Sequence, residues 1–227
     1  YTYEMGNPLL QPTTIQSLSL NTIYRWMSLS LSYNHYKNDY TSYVRAYSEE
    51  NLTIGLLTRE HIAPYNRLSA SLTLSPVIGK WSPRWGVQVQ RYDCKVDTPQ
   101  GVETFDNPLA ILSWRNTVKF TDSFWINADA YYQTKSQIDN TEYLENSWYM
   151  NLNLYKGFLN NRMSLQLQVT DLFNTRKSHV LMYSGLRTME LDNELRRTIS
   201  LTFRYKFNPT KSKYRGTGAG QSQKARM

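Results

Sequence analysis

Residues 197–207 read RTISLTFRYKF, and this stretch decides the fold class. Apolar or aromatic side chains occupy every second position from Ile199 to Phe207, and the positions between them hold Ser, Thr, Arg and Lys. A period of two is typical of a β-strand with one apolar and one polar face. The stretch is about twice as long as an ordinary strand in a soluble domain. Aromatic side chains gather at its C-terminal end, where a membrane-spanning strand meets the lipid–water interface. We therefore predict a transmembrane β-strand with lipid on one side and water on the other.

The composition agrees with strands, not helices, as the membrane-crossing elements. Only 40% of the 227 residues are hydrophobic, and no apolar run approaches the ~18 residues of a transmembrane helix. A β-barrel stays possible, because barrel strands hide their apolar residues in alternation. The single cysteine, Cys94, excludes an internal disulfide and paired-cysteine metal sites. The chain begins at Tyr1 with neither an initiator methionine nor a signal peptide, so we expect that sequence is missing in front of it.

The positive charge is concentrated at the C-terminus. Of the net charge of +8, residues 208–227 contribute +5, because they contain five basic residues and no acid. The same segment is rich in glycine, which is typical of a flexible chain. We therefore expect two parts: residues 1–207 as barrel, and residues 208–227 as a basic, flexible periplasmic tail. The low charge of the barrel part argues against nucleic acid as a partner.

Alternation of apolar and polar residues recurs along the chain and predicts nine long strands. They lie at 17–22, 27–34, 68–74, 85–90, 112–120, 126–132, 148–154, 163–169 and 198–207. We expect the second strand to run on through the tyrosine-rich stretch 36–47. Connections near residues 25, 80, 122 and 159 are short, and those near 49, 100, 140 and 183 are long and polar. In outer-membrane barrels the short turns face the periplasm and the long loops face outside. The first and last strands then both run toward the periplasm.

The parity of the apolar residues predicts which side chains face lipid. This set is Leu29, Leu31, Leu72, Leu74, Leu152, Leu154, Leu165, Leu167, Ile199, Leu201 and Phe203. The aromatic residues Phe203, Tyr205 and Phe207 are predicted to form a girdle, or an internal assembly signal that ends at Phe207. The opposite parity holds mainly Ser, Thr, Asn and Gln, which suits a water-filled interior. The alternative is a soluble β-protein or a fibre domain, but a soluble sandwich would place large apolar residues on both faces of its central strands.

The predicted strand number bears on whether the barrel is complete. A closed single-chain bacterial barrel has an even number of strands, and an open edge in hydrocarbon leaves unpaired backbone groups. Either one strand is miscounted or strands are missing, and the absent signal peptide favours missing strands. The predicted fold is thus all-β, an antiparallel transmembrane β-barrel of which this chain is a partial, C-terminal section.

Three stretches resemble the C-terminal barrel of TonB-dependent receptors. They are GNPLLQP at 6–12, VTDLFN at 169–174 and SLTFRYKFNP at 200–209. The segment KSKYRGTGAG at 211–220 is similar to the Bacteroidetes branch of that superfamily, known as outer membrane β-barrel proteins. The resemblance covers essentially the whole chain and implies a barrel of about 22 strands, with a plug domain and a TonB box that this sequence lacks. One departure is that Phe207 is followed by twenty residues, whereas many outer-membrane proteins end on an aromatic residue.

The resemblance also implies the location and the partners of the protein. It implies the Gram-negative outer membrane and, as partners, outer-membrane lipid, upstream barrel strands, a plug domain and the assembly machinery. The TonB complex would act through an N-terminal region that is absent here.

Catalytic and metal-binding patterns are absent from the sequence. His35, His61 and His179 lie far apart, and neither an HExxH nor a GxSxG motif occurs. We therefore expect no enzyme activity, no metal and no cofactor. Asp171 follows an alternating strand and could face the lumen, but at a strand end we interpret it as a solvated or turn-capping group. The remaining loop acids could bind substrate, although a solvated loop is the simpler interpretation; they are Glu49, Glu50, Asp93, Asp97, Asp139, Glu142, Glu145, Glu190, Asp192 and Glu194.

Two functions remain open from the sequence. In the first, the chain forms part of the wall and mouth of a receptor for energy-coupled uptake of a bulky nutrient. In the second, it belongs to a passive or adhesive surface barrel that transports nothing. The substrate class, whether siderophore, oligosaccharide, peptide or cobalamin-like molecule, is not specified by any motif.

Overall fold

A computed structural model describes residues 2–49, 51–185 and 187–207 of the chain. The predicted basic tail at 208–227 lies outside the described residues. Within them, no helix is long and apolar enough to cross a membrane. The described part contains seventeen strands: β1 (Thr2–Glu4), β2 (Thr14–Tyr24), β3 (Met27–Lys37), β4 (Tyr40–Ser48), β5 (Asn51–His61), β6 (Tyr65–Leu74), β7 (Trp81–Thr98), β8 (Gly101–Phe105), β9 (Leu109–Thr121), β10 (Phe124–Gln133), β11 (Ser136–Ile138), β12 (Thr141–Tyr143), β13 (Ser147–Phe158), β14 (Met163–Thr170), β15 (Lys177–Ser184), β16 (Arg187–Glu194) and β17 (Thr198–Tyr205).

Nine of these strands form one long antiparallel sheet. Their order is β2-β3-β6-β7-β9-β10-β13-β14-β17, so each strand pairs with the next membrane strand along the chain. These are the nine strands that the alternation predicts, and the prediction is confirmed. We call this the main sheet. An antiparallel meander of long strands with alternating short and long connections is the arrangement of an outer-membrane barrel wall.

Short turns connect the main-sheet strands at one end. Only two residues join β2 to β3, and Arg25 there adopts a φ of 51°. Left-handed residues are what two-residue hairpins require, because they match the right-handed twist of the strands. The β13–β14 turn also uses left-handed residues, among them Asn160 and Asn161, and asparagine tolerates that conformation better than most residues. The turn chemistry therefore agrees with the predicted hairpins.

The long connections at the other end differ from the prediction. They are not irregular polar loops, because they contain most of the other strands. These strands form two further sheets, of order β1-β5-β4 and β11-β12-β15-β16. The remaining strand, β8, pairs with the C-terminal end of β7. The expected continuation of the second strand through 36–47 is also wrong. The strand β3 ends at Lys37, Asn38 adopts a φ of 55°, and a new strand begins at Tyr40. A single left-handed residue thus turns the chain out of the main sheet and into β4.

The buried core lies among these upper strands. Phe105, Cys94, Val96 and Tyr183 are all buried and belong to one hydrophobic cluster. We call the strands β4, β5, β8, β11, β12, β15 and β16, with residues 94–98 of β7, the mouth layer. The main sheet is a single layer, whereas the mouth layer forms a small hydrophobic core together with Tyr36, Tyr65 and Tyr92 of the main-sheet strands.

The main sheet has two free edges. Among the described residues, β2 pairs only with β3, and β17 pairs only with β14. Both edge strands end on the side of the short turns, because Tyr24 lies opposite Met27 and Tyr205 lies opposite Met163. They therefore run in the same direction and cannot pair antiparallel with each other. Antiparallel closure of the sheet into a barrel would therefore need further strands between them.

Candidate functional site: the polar face and the mouth layer

One face of the main sheet is polar over its whole width. Short hydroxyl and amide side chains from neighbouring strands hydrogen-bond to one another on it. Ser30 Oγ donates to Asn21 Oδ1 at 2.7 Å across β2 and β3, and Thr117 Oγ1 donates to Asn127 Oδ1 at 2.9 Å across β9 and β10. Such cross-strand pairs satisfy polar groups without large side chains, and they leave room for water on this face. We call it the polar face.

The residues predicted to face lipid all lie on the opposite face. The strand register places Leu29 beside Leu72, and it places Leu154, Leu167 and Leu201 in one row across three strands. On the edge strand β17, three of these side chains are mostly exposed: Ile199 (65%), Leu201 (68%) and Phe203 (61%). An apolar face this wide needs an apolar medium. Contact with lipid itself remains a prediction for Leu29, Leu31, Leu72, Leu74, Leu152, Leu154, Leu165, Leu167, Ile199, Leu201 and Phe203.

Aromatic side chains border the apolar face. At the short-turn end, Tyr205 packs edge-on against Phe207 with ring centres 4.6 Å apart. At the other end, Tyr33 and Trp148 are exposed on the same face. Aromatic rings at both borders are typical of the girdles of membrane barrels. This arrangement fits the predicted girdle role of Phe203, Tyr205 and Phe207.

Two polar residues on the apolar face were missed by the sequence analysis. Asn116 is 92% buried there, and its Oδ1 accepts a hydrogen bond of 3.0 Å from the Trp81 indole. Lys156 lies between the rings of Phe124 and Phe158, with its Nζ 5.2 Å and 6.0 Å from their centres. Asn116 is buried beside Trp81, whereas Lys156 stays exposed beside its two rings, and both aromatic contacts lower the cost of a polar group on this face. The alternation indicated their parity, but nothing in it indicated their aromatic neighbours.

A stack of tyrosines marks the upper end of the polar face. The rings of Tyr36 and Tyr65 are parallel with centres 4.7 Å apart, and Tyr92 follows at 6.3 Å from Tyr65. The Arg67 guanidinium lies over Tyr36 at 5.3 Å and over Tyr92 at 6.0 Å. The Tyr65 hydroxyl donates to Asp39 at 2.7 Å. The stack lies where the main sheet meets the mouth layer.

A cavity of about 210 Å³ opens between the strands of the mouth layer. Its lining combines acids with aromatic and hydroxyl side chains: Thr41, Tyr43, Glu60, Asp97, Asp139 and Tyr183. Burial raises the pKa of the Asp139 carboxyl, and the nearby Asp39 carboxylate raises this pKa further. Burial and the hydrogen bond that it donates to Glu142 raise the pKa of Tyr183 to about 12. Lys95 and His61 also line the cavity, which lies on the side of the long connections.

Asp139→Asn is expected to change how the stability of the mouth layer depends on pH. The pKa of Asp139 is higher in the folded than in the unfolded chain, so the folded state binds more protons between the two pKa values. The free energy of unfolding then falls as pH rises from the pKa of Asp139 in the unfolded chain through its raised pKa in the folded chain. It rises again as pH is lowered back toward the pKa of the unfolded chain. Asparagine cannot ionise, so hydrogen exchange of β11 and β12, corrected for intrinsic rates, should lose this pH dependence. The control is Asp122→Asn in an exposed turn; an unchanged profile for Asp139→Asn would contradict the prediction.

Two separate connections meet in the mouth layer. Val44 in β4 forms a bridge with Gly185, and Ser184 Oγ donates to the Ser42 carbonyl at 2.8 Å. Gly185 has a φ of 61°, and a Cβ there would lie 2.5 Å from the Val44 carbonyl oxygen. Only glycine fits this approach without a shift of the backbone. The β4–β5 and β15–β16 hairpins thus form one body over the polar face.

Asp171 is a turn-capping group, as one of the two interpretations stated, but it is not solvated. Asp171 is only 1% exposed. The carboxylate accepts hydrogen bonds from the backbone N–H groups of Thr175 at 3.0 Å and Arg176 at 2.9 Å. Asp171 has a φ of 53°, and its own N–H donates to Asn151 Oδ1. These bonds fix the chain where it leaves β14 for the mouth layer.

The histidines and loop acids are dispersed, and several of the acids have partners. His179 Nε2 lies 2.6 Å from Glu190, and its Nδ1 lies 3.9 Å from Glu145. Glu194 pairs with Lys177 at 2.7 Å. In the described ranges, no three His, Cys, Asp or Glu side chains form a group able to hold a metal. Glu50 lies outside the described residues.

Comparison with protein-family models finds a match over most of the chain. A sequence model of the outer membrane protein beta-barrel family matches residues 1–205. No curated protein and no solved structure matches the chain significantly. The matched range contains all nine strands of the main sheet and the whole mouth layer.

Proposed function

Because the chain belongs to the outer membrane protein beta-barrel family, we propose that it forms part of the wall and extracellular mouth of a TonB-dependent receptor of Bacteroidetes type. The family is one of outer-membrane proteins, so the chain lies in the outer membrane. The proposed role is energy-coupled uptake of a nutrient, without catalysis and without a cofactor.

The observation that carries this proposal is the folded mouth layer above the polar face. A passive pore needs only a wet lumen, whereas this chain packs two hairpins over its polar face and leaves a cavity of about 210 Å³ between them. Small-molecule sites combine hydrophobic and aromatic walls with a few converging polar groups, and Val96, Tyr183 and Asp97 supply these three kinds of side chain here. A receptor that captures a solute before transport needs such a site on its outer side.

The proposal includes the partners that complete the barrel. Further strands pair with the free edges of β2 and β17, because unpaired N–H and C=O groups in hydrocarbon cost several kcal/mol each. A plug domain fills the lumen, the assembly machinery inserts the strands, and the TonB complex supplies the energy.

The test compares uptake with and without membrane energy. Cells that carry the protein and cells that lack its gene are grown in the same medium, and the solutes that only the former remove are identified. We expect a protonophore to abolish this removal. If removal continues with the protonophore present, the barrel is passive and the energy-coupled proposal is wrong.

An adhesive surface barrel is the second candidate, and one observation favours it. Every residue of β16 is exposed, including Met189 (57%) and Leu191 (45%). An exposed edge strand with apolar side chains can pair with a strand of a partner. In that case gene loss would reduce attachment of the cells to a surface and leave solute removal unchanged.

A further inference from the structure

The apolar face carries a groove near the end from which the long connections leave. Its volume is about 810 Å³. Two adjacent rows of the strand register line it across β2, β3, β6 and β7. One row is Leu18, Tyr33, Leu68 and Arg91, and the other is Leu20, Leu31, Ala70 and Val89. We call it the Ala70 groove.

Small side chains among large ones give the groove its depth. Ala70 lies between Leu31 and Val89 in its row, and Ala110 follows Val89 on the next strand. The taller Leu68 beside Ala70 is 52% exposed. Apolar walls around a gap lose dispersion contacts unless something fills it. The groove lies on the face that we predict to contact lipid, so an acyl chain is the occupant that its surroundings supply.

The register places one end of the groove at the border of the apolar band. The next row toward the long connections is polar throughout: Gln16, His35, Asn66 and Asp93. The Tyr33 hydroxyl donates to Asn66 Oδ1 in that row at 2.8 Å. Long connections of outer-membrane barrels face outside. This end of the groove therefore lies at the level of the headgroups of the outer leaflet.

An arginine stands at the same end. The Arg91 side chain is 52% exposed, and its Nη2 pairs with Asp106 at 2.9 Å. Pro108, two residues after Asp106, also lines the groove. A guanidinium has five N–H donors, so Arg91 can bind a second acceptor while it keeps this ion pair. Arginine matches a phosphate through two parallel hydrogen bonds.

We propose that the Ala70 groove binds lipid A, the phosphorylated glycolipid of the outer leaflet. One acyl chain lies along Ala70, and a lipid phosphate accepts hydrogen bonds from Arg91. The carboxylate of Asp106 repels that phosphate and so limits the affinity. The inference needs the outer-membrane location of the family and the predicted lipid contact of the apolar face. It does not depend on energy-coupled uptake.

The test counts bound lipid by native mass spectrometry. The full-length protein is purified from outer membranes in a nonionic detergent and freed of co-purified lipid by detergent exchange. It is titrated with lipid A, with the same lipid A after removal of its phosphates, and with phosphatidylglycerol. We expect lipid A to bind about tenfold more tightly than its dephosphorylated form. Equal binding of these two would overturn the phosphate contact, and equally tight binding of phosphatidylglycerol would overturn the assignment to lipid A.

Variants assign this binding to the groove. Ala70→Leu fills the depression and should weaken binding of lipid A about tenfold. Its control is Ala130→Leu, the same change on the apolar face beside Trp114 and Met150, outside the groove. Arg91→Ala should remove the preference for phosphate, whereas Arg162→Ala in the β13–β14 turn should keep it. Equal effects within either pair would contradict the assignment.

Asp106→Asn separates phosphate binding from a purely structural role of Arg91. If Arg91 only fixed the connection at Asp106 through the ion pair, Asp106→Asn and Arg91→Ala would both break that pair and weaken binding alike. In the proposal Asp106→Asn removes a repulsive carboxylate, so binding of lipid A should strengthen by about twofold to threefold. Weakened binding in Asp106→Asn would contradict the phosphate contact. Heat-modified gel mobility gives the folded fraction of each variant, to which the bound lipid is normalised.

Discussion

Leu201→Arg will destabilise the folded protein in a bilayer by about 2–4 kcal/mol, and Thr202→Arg will cost far less. The two positions are neighbours on β17, but their side chains lie on opposite faces of the main sheet. Leu201 is 68% exposed and lies in a row with Leu167 and Leu154. An arginine there meets hydrocarbon, whereas one at Thr202, beside Gln166, meets water.

The measurement is urea-dependent folding into lipid bilayers, followed by tryptophan fluorescence and by heat-modified gel mobility. The pair of variants shares the added charge and volume, so each serves as the control for the other. Equal losses of stability would mean that the exposed apolar face does not contact lipid, and the barrel orientation would be wrong.

Asp171→Ala is expected to cost about 2–5 kcal/mol of stability. The substitution leaves the part-buried N–H groups of Thr175 and Arg176 without an acceptor, and each such loss costs about 1–2 kcal/mol because water reaches both groups in part. It also places alanine at a φ of 53°, a left-handed conformation that alanine tolerates less well than aspartate.

Asp171→Asn is the matched variant for this prediction. Asparagine keeps one carbonyl acceptor and tolerates the left-handed conformation, so it should lose clearly less stability than alanine. The same urea titration compares them, and hydrogen exchange of the amides of Thr175 and Arg176 locates the effect. If both variants unfold at the native urea concentration, the carboxylate does not stabilise the turn.

The main sheet could be predicted from sequence because each of its strands divides two solvents. Lipid on one face and water on the other impose a strict period of two, as in Ile199, Leu201 and Phe203. The mouth layer has no such division. In β4, residues 40–48 read YTSYVRAYS, and tyrosine occurs at both parities. Polar strands surrounded by water and by each other show no clean alternation, so the sequence predicts loops there.

Only part of the polar cluster formed by Arg84, Arg115 and Asp129 is accessible to sequence reasoning. Arg115 and Asp129 flank a short hairpin turn, and their shared polar parity brings them close together. A bulge between Phe124 and Trp125 shifts the register by one residue, so a count from the turn alone would place Asp129 opposite Asn116. Arg84 joins this cluster through the pairing of β7 with β9, and a long excursion through β8 separates those strands. No count of residues fixes the register across such an excursion. The pairing of two arginines therefore emerges only from the structure.

The contacts that join the two hairpins of the mouth layer have a consequence for the order of folding. Ser42 and Ser184 are 142 positions apart, and Thr2 and Arg187, which share a hydrogen bond, are 185 apart. Contacts so distant in sequence carry a large loop-closure entropy until the intervening strands have paired. The bridge between Val44 and Gly185 should therefore form last, after the nine strands have inserted. A chain arrested during insertion would expose the β4–β5 hairpin to proteases, and protection of that hairpin would report that assembly is complete.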